Sequence, residues 1–294
     1  MRRPRGLCTA AAAVALSLIT ACAPPGSTPN EPGETVPSGA SSTPATADAL
    51  VLRVERVGGL MAPEQTSGTL PLVSVYADGR LITQGPQIAI YPPPALPNVQ
   101  VQRLDRATVD ELFAKADTAG IRPGVDLGRP MVADAPTTRI TVATGAGTRT
   151  LEVFGLTEAG PDDPGLTPAQ REARAKVAAF VQELLGVATA KGTPEGRPYR
   201  PASVAALASP YTPPSDGLPE PPRPVDWPGP RLPGTPRGAT GCVTASSADA
   251  AAVLEAATDA TAITPWRSGG KMWTVRFRPL LPDETGCADL SSTR

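Results

Sequence analysis

The densest group of reactive side chains lies near the C-terminus, in the run from Arg276 to Cys287 (RFRPLLPDETGC). Arg276 and Arg278 are two apart, so on a strand they project to the same side and could form a fork for an anion. Asp283 and Glu284 follow a Pro-bounded turn and could act as an acid–base pair or meet a basic partner. The competing reading is internal: balanced charges close in sequence satisfy one another, and the arginines fix the turn that carries the carboxylates. A glycan-cleaving pair would need two carboxyls ~5–10 Å apart across a cleft, and adjacent residues that point differently fit this badly. The chain also has no histidine. That removes the commonest general base, every Ser–His or Cys–His nucleophile and imidazole metal ligands.

Other motifs carry less. Gly160-Pro161-Asp162-Asp163-Pro164-Gly165 is acidic but lacks the alternating ligands and distal Glu of a calcium loop, and reads as a solvated turn before a helix. Gly145-Ala146-Gly147 lies between strands, with no helix behind it to make a phosphate cradle. The PEPPRP run at 219–224 has PxxP spacing, a weak signal alone. No G-x-S-x-G, S-x-x-K or zinc motif occurs, and we expect neither a cofactor nor catalysis.

The 294 residues include 37 Pro and 28 Gly, which points to long irregular stretches, and aromatics are 4%, so the core must rest on Val, Leu, Ile and Ala. Of the 27 basic residues only Lys115, Lys176, Lys191 and Lys271 are lysine, a bias that resembles a high-GC, actinobacterial genome. A net charge of −1 with no basic tract makes the chain a poor nucleic-acid binder, because phosphate neutralisation supplies most non-specific affinity, so no nucleic-acid partner is expected.

The N-terminus reads as a processing signal. Met1-Arg2-Arg3-Pro4-Arg5 is a basic start, and the apolar run from Leu7 to Ile19 is too short to span a ~30 Å bilayer. Ile19-Thr20-Ala21-Cys22 resembles a bacterial lipobox. The resemblance implies that residues 1–21 are removed and that Cys22 becomes a diacylglycerol-bearing first residue, tying the chain to the outer face of the cell membrane. Two or more acyl chains anchor stably at ~0.8 kcal/mol per buried CH₂. Residues 22–48 hold six prolines among Ser, Thr, Gly and Ala and read as a disordered tether.

Cysteine arithmetic agrees with that compartment. Cys8 falls in the signal and Cys22 takes lipid, leaving Cys242 and Cys287 as an even pair that an oxidising compartment would join.

The elements that must position these residues follow from periodicity. Leu50 to Val57 alternates as a half-buried strand, and Leu72 to Tyr76 and Arg80 to Thr83 flank Asp78-Gly79 as a hairpin. A helix follows, with Thr108 to Glu111 as a capping box and Val109, Leu112, Phe113 and Ala116 on one stripe up to Gly120. A second hairpin (138–143 and 148–154) precedes a second helix, capped by Thr167 with Pro168 at N1 and Gln170 at N3, and stopped at Gly186. Residues 49–186 therefore predict an α+β domain, an antiparallel sheet from hairpins with helices packed on one face. Residues 187–240 carry 14 prolines between Pro194 and Pro236 and form either a linker or a long extended strap pinned by Tyr199, Tyr211 and Trp227. Residues 241–294 read as strand, helix and strand on the same domain, with Trp273, Val275 and Phe277 inward and Arg276 and Arg278 outward.

The hairpin YADGR (76–80) and the ending from Trp273 to Cys287 resemble secreted or lipid-anchored actinobacterial proteins with no assigned activity, over roughly residues 50–290. That resemblance speaks to compartment and architecture. The expected function is a non-enzymatic, membrane-anchored module that binds an envelope protein or assists envelope assembly. The alternatives are a small-ligand carrier and a carboxylate enzyme acting on wall glycans.

Overall fold

The computed structural model describes residues 46–60, 68–145, 147–215 and 222–290. Cys22, the signal segment and most of the predicted tether lie outside them. Residues 47–48 already belong to the fold: Arg80 donates to Ala47 O at 3.1 Å and to Asp48 at 2.5 Å.

The chain builds two sheets rather than one. The first contains β1 (Leu50–Gly58), β2 (Val73–Tyr76), β3 (Arg80–Gln84), β4 (Val99–Arg103), β5 (Pro136–Thr144), β6 (Gly147–Phe154) and β7 (Arg197–Pro198), in the order β6-β5-β1-β2-β3-β4-β7. Every pairing in it is antiparallel. The β2–β3 turn depends on Gly79, whose φ is +84° and whose missing Cβ would strike the Leu104 carbonyl oxygen.

Helices α1 (Arg106–Thr118) and α2 (Pro168–Val187) join this sheet in one apolar cluster. Their Val109, Leu112, Ala116, Val177, Phe180, Val181 and Leu184 lie with Leu52, Val54, Val73, Val75, Ile140, Val142, Leu151 and Val153. These are alternate positions along each strand, as a half-buried pleat requires. Two helix boundaries differ from the sequence reading. α1 starts at Asp105, whose carboxylate caps Thr108 N at 2.7 Å, a stronger acceptor than the predicted cap at Thr108 itself. α2 runs past Gly186 to Val187, because nothing at Gly186 forces the backbone out of the helix. Its N-terminus is a true capping box between Thr167 and Gln170.

The second sheet contains β8 (Ser203–Pro210), β9 (Val225–Asp226), β10 (Thr235–Arg237), β11 (Thr240–Ser246), β12 (Pro265–Ser268) and β13 (Lys271–Pro279), in the order β10-β11-β8-β13-β12-β9. Only β9–β12 is parallel among its pairings. Helix α3 (Ser247–Thr258) packs here through Val253 and Ala257, with Trp227, Trp266, Trp273, Val275 and Phe277. The sequence reading missed β8, which lies inside the proline-dense segment. It is the middle of the sheet, buried from Val204 to Ala208 on both faces, and its alanines let both layers approach. The segment 187–240 thus supplies four strands, and Trp227 and Tyr199 are pinned by hydrogen bonds to Pro230 O and Leu280 O.

Leu184→Ala removes a fully buried side chain from the larger core and should cost about 2–5 kcal/mol of stability, with the native α/β spectrum retained. Equilibrium urea unfolding of the full chain, followed by far-UV circular dichroism, checks this.

Candidate functional site

The four charged residues singled out at the C-terminus do not form one site. β13 carries both arginines on the face away from Trp273, Val275 and Phe277: Arg276 pairs in register with Leu207 and Arg278 with Ala205. From there their environments diverge.

Arg278 is turned inward and locked to Glu284. The pair is bidentate, Nη1 to Oε2 at 3.0 Å and Nη2 to Oε1 at 2.8 Å, with side-chain exposures of 3% and 7%. Arg278 also donates to the carbonyls of Thr69 and Pro279. Glu284 Oε2 accepts a further bond from Leu281 N at 2.7 Å. Both carboxylate oxygens are therefore engaged.

Asp283 faces the other way, toward the first sheet. Its Oδ1 accepts from Arg53 Nη2 at 2.8 Å and from the Tyr76 hydroxyl at 2.7 Å. Arg53 continues through Nε to Ser74 at 3.0 Å and touches the Tyr76 oxygen at 3.2 Å. Burial pushes the Tyr76 hydroxyl far above its ordinary range; Arg53 opposes the shift, and the Asp283 charge and hydrogen bond reinforce it. Tyr76 is thus a fixed donor rather than an acid at neutral pH. Burial likewise pushes Tyr199 up to about 12, and its hydroxyl donates to Leu280 O at 2.8 Å. Sequence reasoning missed Arg53, Ser74 and Tyr76. The only available signal was that Arg53 sits on the outward face of β1, between Leu52 and Val54.

Arg276 is exposed and lines a pocket of about 290 Å³ with Leu207, Ser209, Thr240, Thr274 and Ala95. Three hydroxyls from neighbouring strands and one guanidinium can hydrogen-bond a small polar or anionic group there. This is the one part of the expected cluster that faces a cavity.

Cys242 and Cys287 are joined in a disulfide with Cα atoms 6.0 Å apart. It ties β11 to the single 3₁₀ turn at Cys287–Leu290, beside Leu280 and Leu290. The acidic turn at 160–165 is largely exposed, as expected, apart from Asp163. Asp163 is buried and accepts from the backbone N–H groups of Met131 and Gly165. Among the described residues no group of three or more acidic or cysteine side chains is placed to hold a metal, and no helix is long and apolar enough to cross a membrane.

Compared with protein-family models, with curated proteins and with solved structures, the chain matches none.

Two outcomes follow from this geometry. Glu284→Ala strands a buried guanidinium and should cost about 3–5 kcal/mol, whereas Arg278→Met combined with Glu284→Leu should recover a large part of that loss. Chemical denaturation of the single and double variants checks this. Removing the disulfide by Cys242→Ser with Cys287→Ser should cost about 4 kcal/mol on the loop-entropy relation for a 45-residue separation. The comparison of unfolding midpoints in oxidised parent and variant reads it directly.

Proposed function

We propose that the chain is a lipid-anchored extracytoplasmic module that binds, rather than transforms, its partner. Anchorage would come through diacylglycerol on Cys22, as the Ile19-Thr20-Ala21-Cys22 pattern implies. The observation that carries the compartment is the Cys242–Cys287 disulfide, since such bonds persist in oxidising surroundings and are rare in a reducing cytosol. It fits a signal peptide that delivers the chain outward.

Binding is favoured over glycan cleavage by the state of the two carboxylates. Each is committed to an arginine, Glu284 to Arg278 and Asp283 to Arg53, and both serve to hold the C-terminal turn. Arg276, with Thr274, Ser209 and Thr240, offers the polar contact surface. A small anionic ligand or the acidic side chain of an envelope protein fits such a surface. The pocket's modest volume keeps the small-ligand carrier as the second reading.

Cys22→Ser should abolish incorporation of labelled fatty acid and release the protein to the medium or leave it unprocessed. Fractionation of cells expressing parent and variant, with intact mass of the membrane form, makes the measurement. Unchanged membrane retention and mass would overturn the anchor.

A further inference from the structure

The first turns of α2 border a cavity of about 490 Å³, lined by Leu156, Pro161, Leu166, Ala175 and Ala178 together with Arg171 and Arg174. Arg171, Arg174, Ala175 and Ala178 are spaced three and four apart, so they lie on one stripe of the helix. The walls are apolar and the charged groups in them are guanidinium groups, apart from Glu172, which pairs with Lys176 at 2.8 Å.

The electrostatics of these two arginines set them apart from those at the sheet junction. Arg174 is 4% exposed, yet its hydrogen bonds go only to carbonyls: Leu127 O at 3.2 Å, Phe154 O at 2.9 Å and Gly155 O at 2.5 Å. Arg171 likewise donates to Asp163 O at 3.3 Å and Leu166 O at 2.5 Å. Among the described residues no carboxylate forms an ion pair with either. The nearby acids are occupied elsewhere: Asp163 by two backbone N–H groups and Glu158 by Thr157. Burial lowers the Arg174 pKa, with the Asp163 and Glu158 charges opposing. A buried charge without a counter-charge is costly. Carbonyl dipoles hold these guanidinium groups in place, and no carboxylate among the described residues pairs with them directly.

We propose that this cavity is a binding site for an amphiphilic anion, a carboxylate carried on an apolar chain, with the head group against Arg171 and Arg174 and the chain along Leu156, Leu166, Ala175 and Ala178. The proposal is independent of the lipid anchor and of the Arg276 pocket. The ligand supplies a directly paired negative charge, which no carboxylate among the described residues gives Arg171 or Arg174, and the apolar walls disfavour small hydrated anions.

The test uses the full chain with dodecanoate below its micellar concentration, dodecanol and dodecyltrimethylammonium as probes, titrated calorimetrically. Dodecanoate should bind saturably with one site, dodecanol at least ten-fold more weakly, and dodecyltrimethylammonium not at all. Arg171→Gln should weaken dodecanoate at least ten-fold and leave dodecanol unchanged. Ala178→Trp fills the cavity without touching any of these hydrogen bonds and should abolish binding of both. A diazirine-bearing dodecanoate, which needs no variant, should label peptides within residues 156–178. Absence of saturable binding, equal affinity for anion and cation, a folded Ala178→Trp chain that binds like the parent, or labelling confined to other peptides would each overturn the site.

Discussion

Two charges are taken almost wholly out of water at the end of β13, and the cost of doing so shapes what surrounds them. A buried Arg–Glu pair is tolerated only when geometry is good and the remaining donors and lone pairs are filled. Here the pair is bidentate, Leu281 N fills a further lone pair, and the Thr69 and Pro279 carbonyls take other guanidinium hydrogens. Those bonds fix the turn from Leu280 to Glu284 in one conformation. Leu281 is thereby set into the apolar cluster of Tyr76, Ile82, Val99 and Leu70. Leu280 O meets the Tyr199 hydroxyl, and Asp283 meets Arg53 and Tyr76. The turn is one contact between the sheets; another is the loop before β4, where Ala95 N donates to Ala260 O and Ala262 N to Pro93 O.

The same constraint explains why β2 is buried along its whole length. Val73 and Val75 face the helices, while Ser74 and Tyr76 face the layer brought in by the C-terminal turn. Ser74 and Tyr76 can be buried because Arg53 and Asp283 satisfy them. In the second sheet small side chains do the equivalent work. Alanines on β8 admit Trp227, Trp266 and Phe277, whose rings pack mostly edge-on at 5.4–6.1 Å. Trp266 Nε1 has no hydrogen-bond partner among the described residues, a cost this close aromatic packing must offset.

The hairpin–helix units were legible because their signals are local: alternation, an Asp-Gly turn, and a Thr-Pro-x-Gln cap each act within a few residues. The second sheet was not, since β8 has one β-branched residue in SVAALASP and sits amid prolines that argue against a central strand. Its pairing partners lie on β11 and β13, tens of residues away, and no local pattern encodes them. Arg278 and Glu284 were readable as a balanced pair six residues apart. The partners of Asp283 were not: Arg53 is 230 residues distant, and an outward-facing arginine on β1 looks solvated until the C-terminal turn covers it.

Net charge near zero conceals an uneven distribution of paired and unpaired cations. Around the sheets, arginines meet carboxylates: Arg53 with Asp283, Arg80 with Asp78 and Asp48, Arg139 with Glu55 and Glu152, Arg278 with Glu284. At the start of α2 they meet only carbonyl oxygens. Carbonyls suffice to orient a guanidinium, so that region folds without an acid. They do not pair with it as a carboxylate would, and the charge lies beside an open, largely apolar pocket. A buried guanidinium without a directly paired carboxylate and an open, largely apolar pocket thus share one stripe of the helix, and an anion with an apolar tail meets both.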